Sequence, residues 1–219
     1  MTRDEFCKCH WEYYLVLEKD FLEIERYVAF ELGDNFLYTN NSATDNGNSE
    51  CFSNEFIKQY QAICSEVDVI LKSICKEINT NATANDMERY SDEILNIWSG
   101  IVQQKVKLKD IELQPFSNWS RQPHYKSPDW WTPYNKVKHN RLANYKKANL
   151  KNTINALAGL YILEQYFAKY IGDRDDVKDV PNDVSKLFEM INFTTKDTVV
   201  GKDCYLITAE DIDNMFNSV

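Results

Sequence analysis

The chain has 219 residues, a net charge of −9, and 43% hydrophobic and 13% aromatic side chains, which is enough apolar surface to build a core and too much for a disordered segment. Six Gly and five Pro are too few for the frequent turns of a β-sandwich or barrel, and no run approaches the roughly 20 apolar residues needed to cross a bilayer. The start, Met1-Thr2-Arg3-Asp4-Glu5, lacks the profile of a secretory leader, so the expectation is a cytoplasmic protein without membrane contact whose cysteines stay reduced.

Taken in chain order, Leu17, Phe21, Ile24 and Val28 fall at helical spacing and predict a first helix over 12–32, ended by Gly33. The polar run 39–50, with Asn46-Gly47, reads as an exposed, mobile connection. Ser53 is placed to cap a long second helix, 53–78, striped by Phe56, Tyr60, Ile63, Val67, Leu71 and Ile74. Asn85 or Asp86 starts a third helix that stops near Gln104, and Lys105 to Lys109 alternates polar and apolar residues as a short strand or extended arm does. Thr132-Pro133 reads as the start of a fourth helix carrying Tyr134 to Arg141. The fifth helix spans 148–171 and holds the apolar run Ala156 to Leu163, whose small residues Ala156, Ala158 and Gly159 suit close packing. Beyond Gly172 the composition turns acidic, and Thr208-x-x-Asp211 signals one last short helix. The expected fold class is mainly α, a helical bundle of about five main helices with a short extended arm and a small C-terminal appendage. The expected domains are a helical unit over 1–172 and an acidic appendage over 173–219.

Two features bear on chemistry. Residues 105–151 hold eleven Lys/Arg against three Asp/Glu, a local balance of +8 in a chain of −9. Such a segment either meets phosphate or is neutralised by acidic helices of the same molecule. Within it, Asn135 and His139 lie four apart on one helical face, with Lys138 and Arg141 beside them. An imidazole that titrates near neutral pH next to fixed cations suits RNA cleavage by attack of its own 2′-hydroxyl. Asp68, at the edge of the second helix's apolar stripe and less solvent-directed than Glu66, is the expected carboxylate partner of that cluster. Cys7-x-Cys9-His10 offers metal-ligating atoms, but structural zinc sites use wider cysteine spacing and four ligands, so the expectation is no metal and no cofactor. No phosphate-binding Gly-rich loop, His-Glu-x-x-His pair or nucleophile elbow occurs.

The segment Trp130-Trp131-Thr132-Pro133-Tyr134-Asn135-Lys136-Val137-Lys138-His139-Asn140-Arg141 resembles the HEPN superfamily, in particular bacterial members in which a Trp-rich turn leads into an Asn-x-Lys-His-x-Arg-like helix. The resemblance covers residues 12–171 and rests on that segment and the helical order. It implies a helical bundle, often dimeric, that binds RNA or a nucleotide, and in many members cleaves RNA without metal in toxin or phage-defence systems. His139 falls on the motif His and Asn135 on the polar residue that follows the motif Arg, while the Arg position itself is taken by Tyr134. Arg3 and His10 meet the Arg-to-His spacing but precede the first expected helix. The resemblance therefore assigns His139, Asn135 and Arg141 to catalysis in a divergent ribonuclease, and Lys138, Asp68, Trp131 and Tyr134 to ligand binding. The alternative is a noncatalytic helical interaction or dimerisation module.

Overall fold

The computed structural model describes residues 1–36 and 45–193. Two long helices form its axis: α3, Asn54–Ile78, and α7, Leu150–Asp175. They begin where capping chemistry allows, since the Ser53 side chain accepts the Phe56 N–H and the Asn149 side chain accepts the Asn152 N–H. Ile63, Val67 and Leu71 of α3 and Leu157, Leu160 and Tyr161 of α7 are all buried. The mainly helical bundle expected from the apolar periodicity is therefore what the chain forms, and no helix among the described residues is long and apolar enough to span a membrane.

The N-terminus departs from expectation. Helix begins at Arg3, not near Glu12, because Thr2 and Glu5 form a reciprocal capping box. The chain runs through α1, Arg3–Phe6, a π-helical turn, Cys7–Trp11, and α2, Glu12–Leu22, before a 3-10 turn at Glu23–Arg26 ends it. Gly33 does not cap this helix. It adopts φ +55 beside Asp45 and Gly47, where an added Cβ would lie 2.3 Å from the Asp45 carbonyl oxygen.

The third helix is shorter than expected: α4, Met87–Ile97, is capped by Asp86 and followed by a 3-10 turn over Ser99–Gln103. The arm is a strand, β1, Val106–Leu108, which pairs antiparallel with β2, Ile111–Leu113, and with β3, Glu189–Met190, in the order β2-β1-β3. The helix expected from Thr132 to Arg141 is instead two. One is α5, Trp131–His139, and the other is α6, Arg141–Asn144. Thr132 is not its cap but sits inside α5, its hydroxyl 3.0 Å from that of Ser127.

Residues 173–193 are built into the bundle, so the expected boundary at 172 does not coincide with a break in packing. Gly172 lies within α7, its backbone against Asp179, and the helix ends only at Asp176 in the left-handed region. The Trp11 indole N–H donates to the Asp183 carbonyl, Phe188 packs on Tyr161, and β3 completes the sheet. Of the expected connection over 39–50, residues 39–44 lie outside the described residues, and so does the helix signalled at Thr208 and Asp211.

Candidate functional sites

The helix that carries the predicted cluster is held from below by aromatic packing. Trp130 is fully buried over Gly159 of α7, where a Cβ would come within 2.9 Å of its ring, and its indole N–H donates to the Pro115 carbonyl at 2.9 Å. The Tyr60 hydroxyl of α3 donates to the Trp130 carbonyl. Tyr134 sits between Tyr60 and Trp131, with ring centroids 5.9 and 5.0 Å away. Trp131 and Tyr134 are thus buried supports of α5, and burial pushes the Tyr134 hydroxyl up to about 12.

Above them the surface is open. Residues 138–143 are all exposed, and Leu142 at 97% shows that the segment protrudes as a ridge rather than lining a cleft. Asn135 is half-buried one turn before His139 on α5. Arg141 does not share that face. Asn140 leaves helical geometry at φ −147, ψ 76, and its side chain accepts the Ala143 N–H to start α6, so Arg141 belongs to a new turn and donates to Gln61 on α3. Lys138 lies over the Tyr134 ring at 5.6 Å. Asp68 does not join them, because its carboxylate accepts from Lys72 one turn later and from the Tyr90 hydroxyl at 2.9 Å. The cluster thus divides into a cationic ridge and a carboxylate committed to α4.

The basic segment also divides. In the β arm, Lys105 pairs with Glu112 at 2.9 Å and Lys109 pairs with Glu25. Among the described residues, Lys136, Lys138, His139, Arg141, Lys146 and Lys147 make no ion pair with a carboxylate. Beside the last two stands an aromatic pair: Phe52, 41% exposed, meets the half-buried Tyr145 edge to face at 5.4 Å, and Lys146 lies over the Phe52 ring at 5.7 Å.

A second constellation lies inside the bundle, and sequence reasoning passed over it. His10 of the π-turn, Glu66 of α3 and Glu164 of α7 are all buried, at 3%, 7% and 0% exposure, with one ligand atom from each within 4.8 Å of the others. Glu66 is therefore not the solvent-directed residue of α3, and it is more buried than the half-buried Asp68. The His10 Nδ1 lies 3.3 Å from Glu66 Oε1, and its ring packs between Phe6 and Phe167 at 6.1 and 6.0 Å. Among the described residues, neither oxygen of Glu164 has a hydrogen-bond partner. Burial, reinforced by the nearby Glu66 charge, pushes the Glu164 carboxyl well above its usual range. A signal was present in the chain. Phe6-His10-Tyr14, Ile63-Glu66-Ile70 and Leu160-Glu164-Phe167 each set a polar residue at an apolar step of a helical stripe.

No protein-family model matches this chain, and comparison with curated proteins and with solved structures gives no match either.

Proposed function

We propose that this chain binds single-stranded RNA along the ridge of α5 and α6, as a HEPN-like RNA-binding protein. The observation that carries the reading is the absence of intramolecular carboxylate partners for the ridge cations among the described residues, whereas Lys105 and Lys109 of the β arm are paired. Unpaired Lys and Arg on a protruding surface release counterions when they meet phosphates. The neighbouring Phe52–Tyr145 pair offers a stacking face for bases, the combination that single-strand binders use.

The geometry favours binding over cleavage. An acid–base His works when a second group orients its ring toward the reacting proton, and His139 is exposed with no hydrogen bond to its ring among the described residues. Arg141, across the helix break, holds Gln61.

The test is a titration of labelled single-stranded RNA with wild type, Phe52→Ala and the triple variant Lys136→Ala/Lys138→Ala/Arg141→Ala, at about 50 and 200 mM salt. Removing three phosphate contacts should lower the slope of log affinity against log salt by about 2 and weaken binding at least tenfold at low salt. Phe52→Ala should weaken binding by roughly 1 to 3 kcal/mol without changing that slope. A parallel time course without metal should show wild type and His139→Ala equally unable to cleave. Absence of binding at low salt would leave the helical interaction module as the better account. The 97% exposed Leu142 favours that second reading, and Leu142→Glu would then change the solution mass from dimer to monomer.

A further inference from the structure

Three helical elements meet at one point in the core, and each contributes a side chain that an apolar interior does not tolerate alone. His10, Glu66 and Glu164 place an imidazole nitrogen and two carboxylates within 4.8 Å of one another, at 7% exposure or less. Were the triad only a structural hydrogen-bond network, Glu164 would be tied into it. A protonated Glu164 has an O–H to donate and a carbonyl oxygen to accept with, yet neither atom reaches a partner among the described residues. The chain shows elsewhere how it satisfies a buried carboxylate, since Glu18 accepts from the Tyr14 hydroxyl, the Ser185 hydroxyl and two backbone N–H groups. Glu164 receives no such treatment.

The geometry points to a divalent transition-metal site, of the zinc class, held by His10 Nδ1, Glu66 and Glu164. A tetrahedral ion with ligand bonds of about 2.0 to 2.1 Å sets its donor atoms about 3.3 Å apart. The His10 Nδ1 to Glu66 Oε1 separation is 3.3 Å. Glu164, with a carboxylate oxygen within 4.8 Å of both, supplies the third ligand. One imidazole and two carboxylates are donors that suit zinc, manganese or iron, whereas magnesium and calcium take oxygen alone. The two carboxylate charges equal that of the ion, so the loaded core is electrically neutral. The π-helical turn at Cys7–Trp11, closed by the Glu12 N–H to the Cys7 carbonyl, supports the assignment because such turns recur at functional positions. It sets His10 into the bundle between Phe6 and Phe167. This site is separate from the ridge and does not depend on RNA binding.

The experiment uses the full chain, stripped with a chelator and dialysed against zinc ion, with stoichiometry from elemental analysis and affinity from calorimetry. The expected result is one zinc per chain, with affinity falling more than about 100-fold in Glu164→Leu and in Glu66→Gln, because losing a ligand costs more than losing an outer-sphere partner. Cys9→Ser, at an exposed cysteine, should bind as wild type. Cobalt ion in wild type supplies a readout independent of any variant, namely visible bands of nitrogen and oxygen ligation without a thiolate charge-transfer band. No uptake by wild type would overturn the assignment. So would unchanged binding in Glu164→Leu, loss in Cys9→Ser, or a strong thiolate band.

Discussion

Two buried glutamates on neighbouring helices receive opposite treatment. Glu18 of α2 is 2% exposed and accepts hydrogen bonds from Tyr14, Ser185, Lys186 and Leu187, the last three brought by the chain segment that follows α7. Glu164 of α7 is fully buried and accepts none among the described residues. The first carboxylate is a structural clasp, binding residues 185–187 to the bundle through its own charge. The second has no such donors among the described residues, and beside it stand another carboxylate and an imidazole. Burial alone therefore does not say whether a charged residue serves the fold; its partners do.

The sharpest way to test this contrast is to cut the clasp. Glu18→Ala removes the carboxylate that Tyr14, Ser185, Lys186 and Leu187 share, leaving the Lys186 N–H without its acceptor and the Tyr14–Ser185 hydroxyl pair with only each other, and we expect a loss of about 3 to 5 kcal/mol in denaturant unfolding. A loss below roughly 1 kcal/mol would remove the distinction between the two glutamates.

Leu157→Ala, on the same helix as Glu164 and fully buried, calibrates the cost of an ordinary cavity at about 2 to 5 kcal/mol. A loss under roughly 0.5 kcal/mol would place the core elsewhere. Glu164→Leu should move the other way, raising the stability of the chelated protein by about 1 to 3 kcal/mol, because an unpartnered buried carboxyl is replaced by apolar volume. A comparable loss would mean that Glu164 has a stabilising partner after all.

The smallest effect is a slope. A folded Glu164 whose carboxyl ionises well above its ordinary value of 4.5 keeps its proton after the unfolded chain has lost it. The unfolded state then binds fewer protons, so wild type loses up to about 1.4 kcal/mol per pH unit as pH rises above about 4.5, until the folded group ionises as well. Glu164→Leu lacks this contribution. The stability of wild type minus that of Glu164→Leu, taken with chelator present, should become more negative as pH rises, so that the advantage of the variant grows; a flat difference would place ionised Glu164 in a compensated environment.

Much of the architecture was legible because it follows from local rules. Ser53, Asp86 and the α3 and α7 stripes mark helices whose starts and faces are fixed by neighbours three and four residues away. The misreadings share one cause, a local signal outweighed by another local signal or by a distant contact. Asn140 looked like a helix interior but capped a new helix, which separated Arg141 from His139. Gly172 looked like a terminator, yet Asp179 packs on its backbone and α7 continues. Asp68 looked like a partner for the cluster of Lys138, His139 and Arg141, but Lys72 and Tyr90 hold it.

The sequence by itself determined the helical class, the α3–α7 axis and the basic character of the ridge, because periodicity, capping and charge are properties of contiguous residues. Only the tertiary structure decided that Lys105 and Lys109 are neutralised while Lys136 and Lys138 meet no carboxylate among the described residues, and that His10, Glu66 and Glu164 converge. The reason is separation along the chain. Residues 56 and 98 positions apart meet only when three helical elements pack, and no pattern within any one of them encodes which faces will touch.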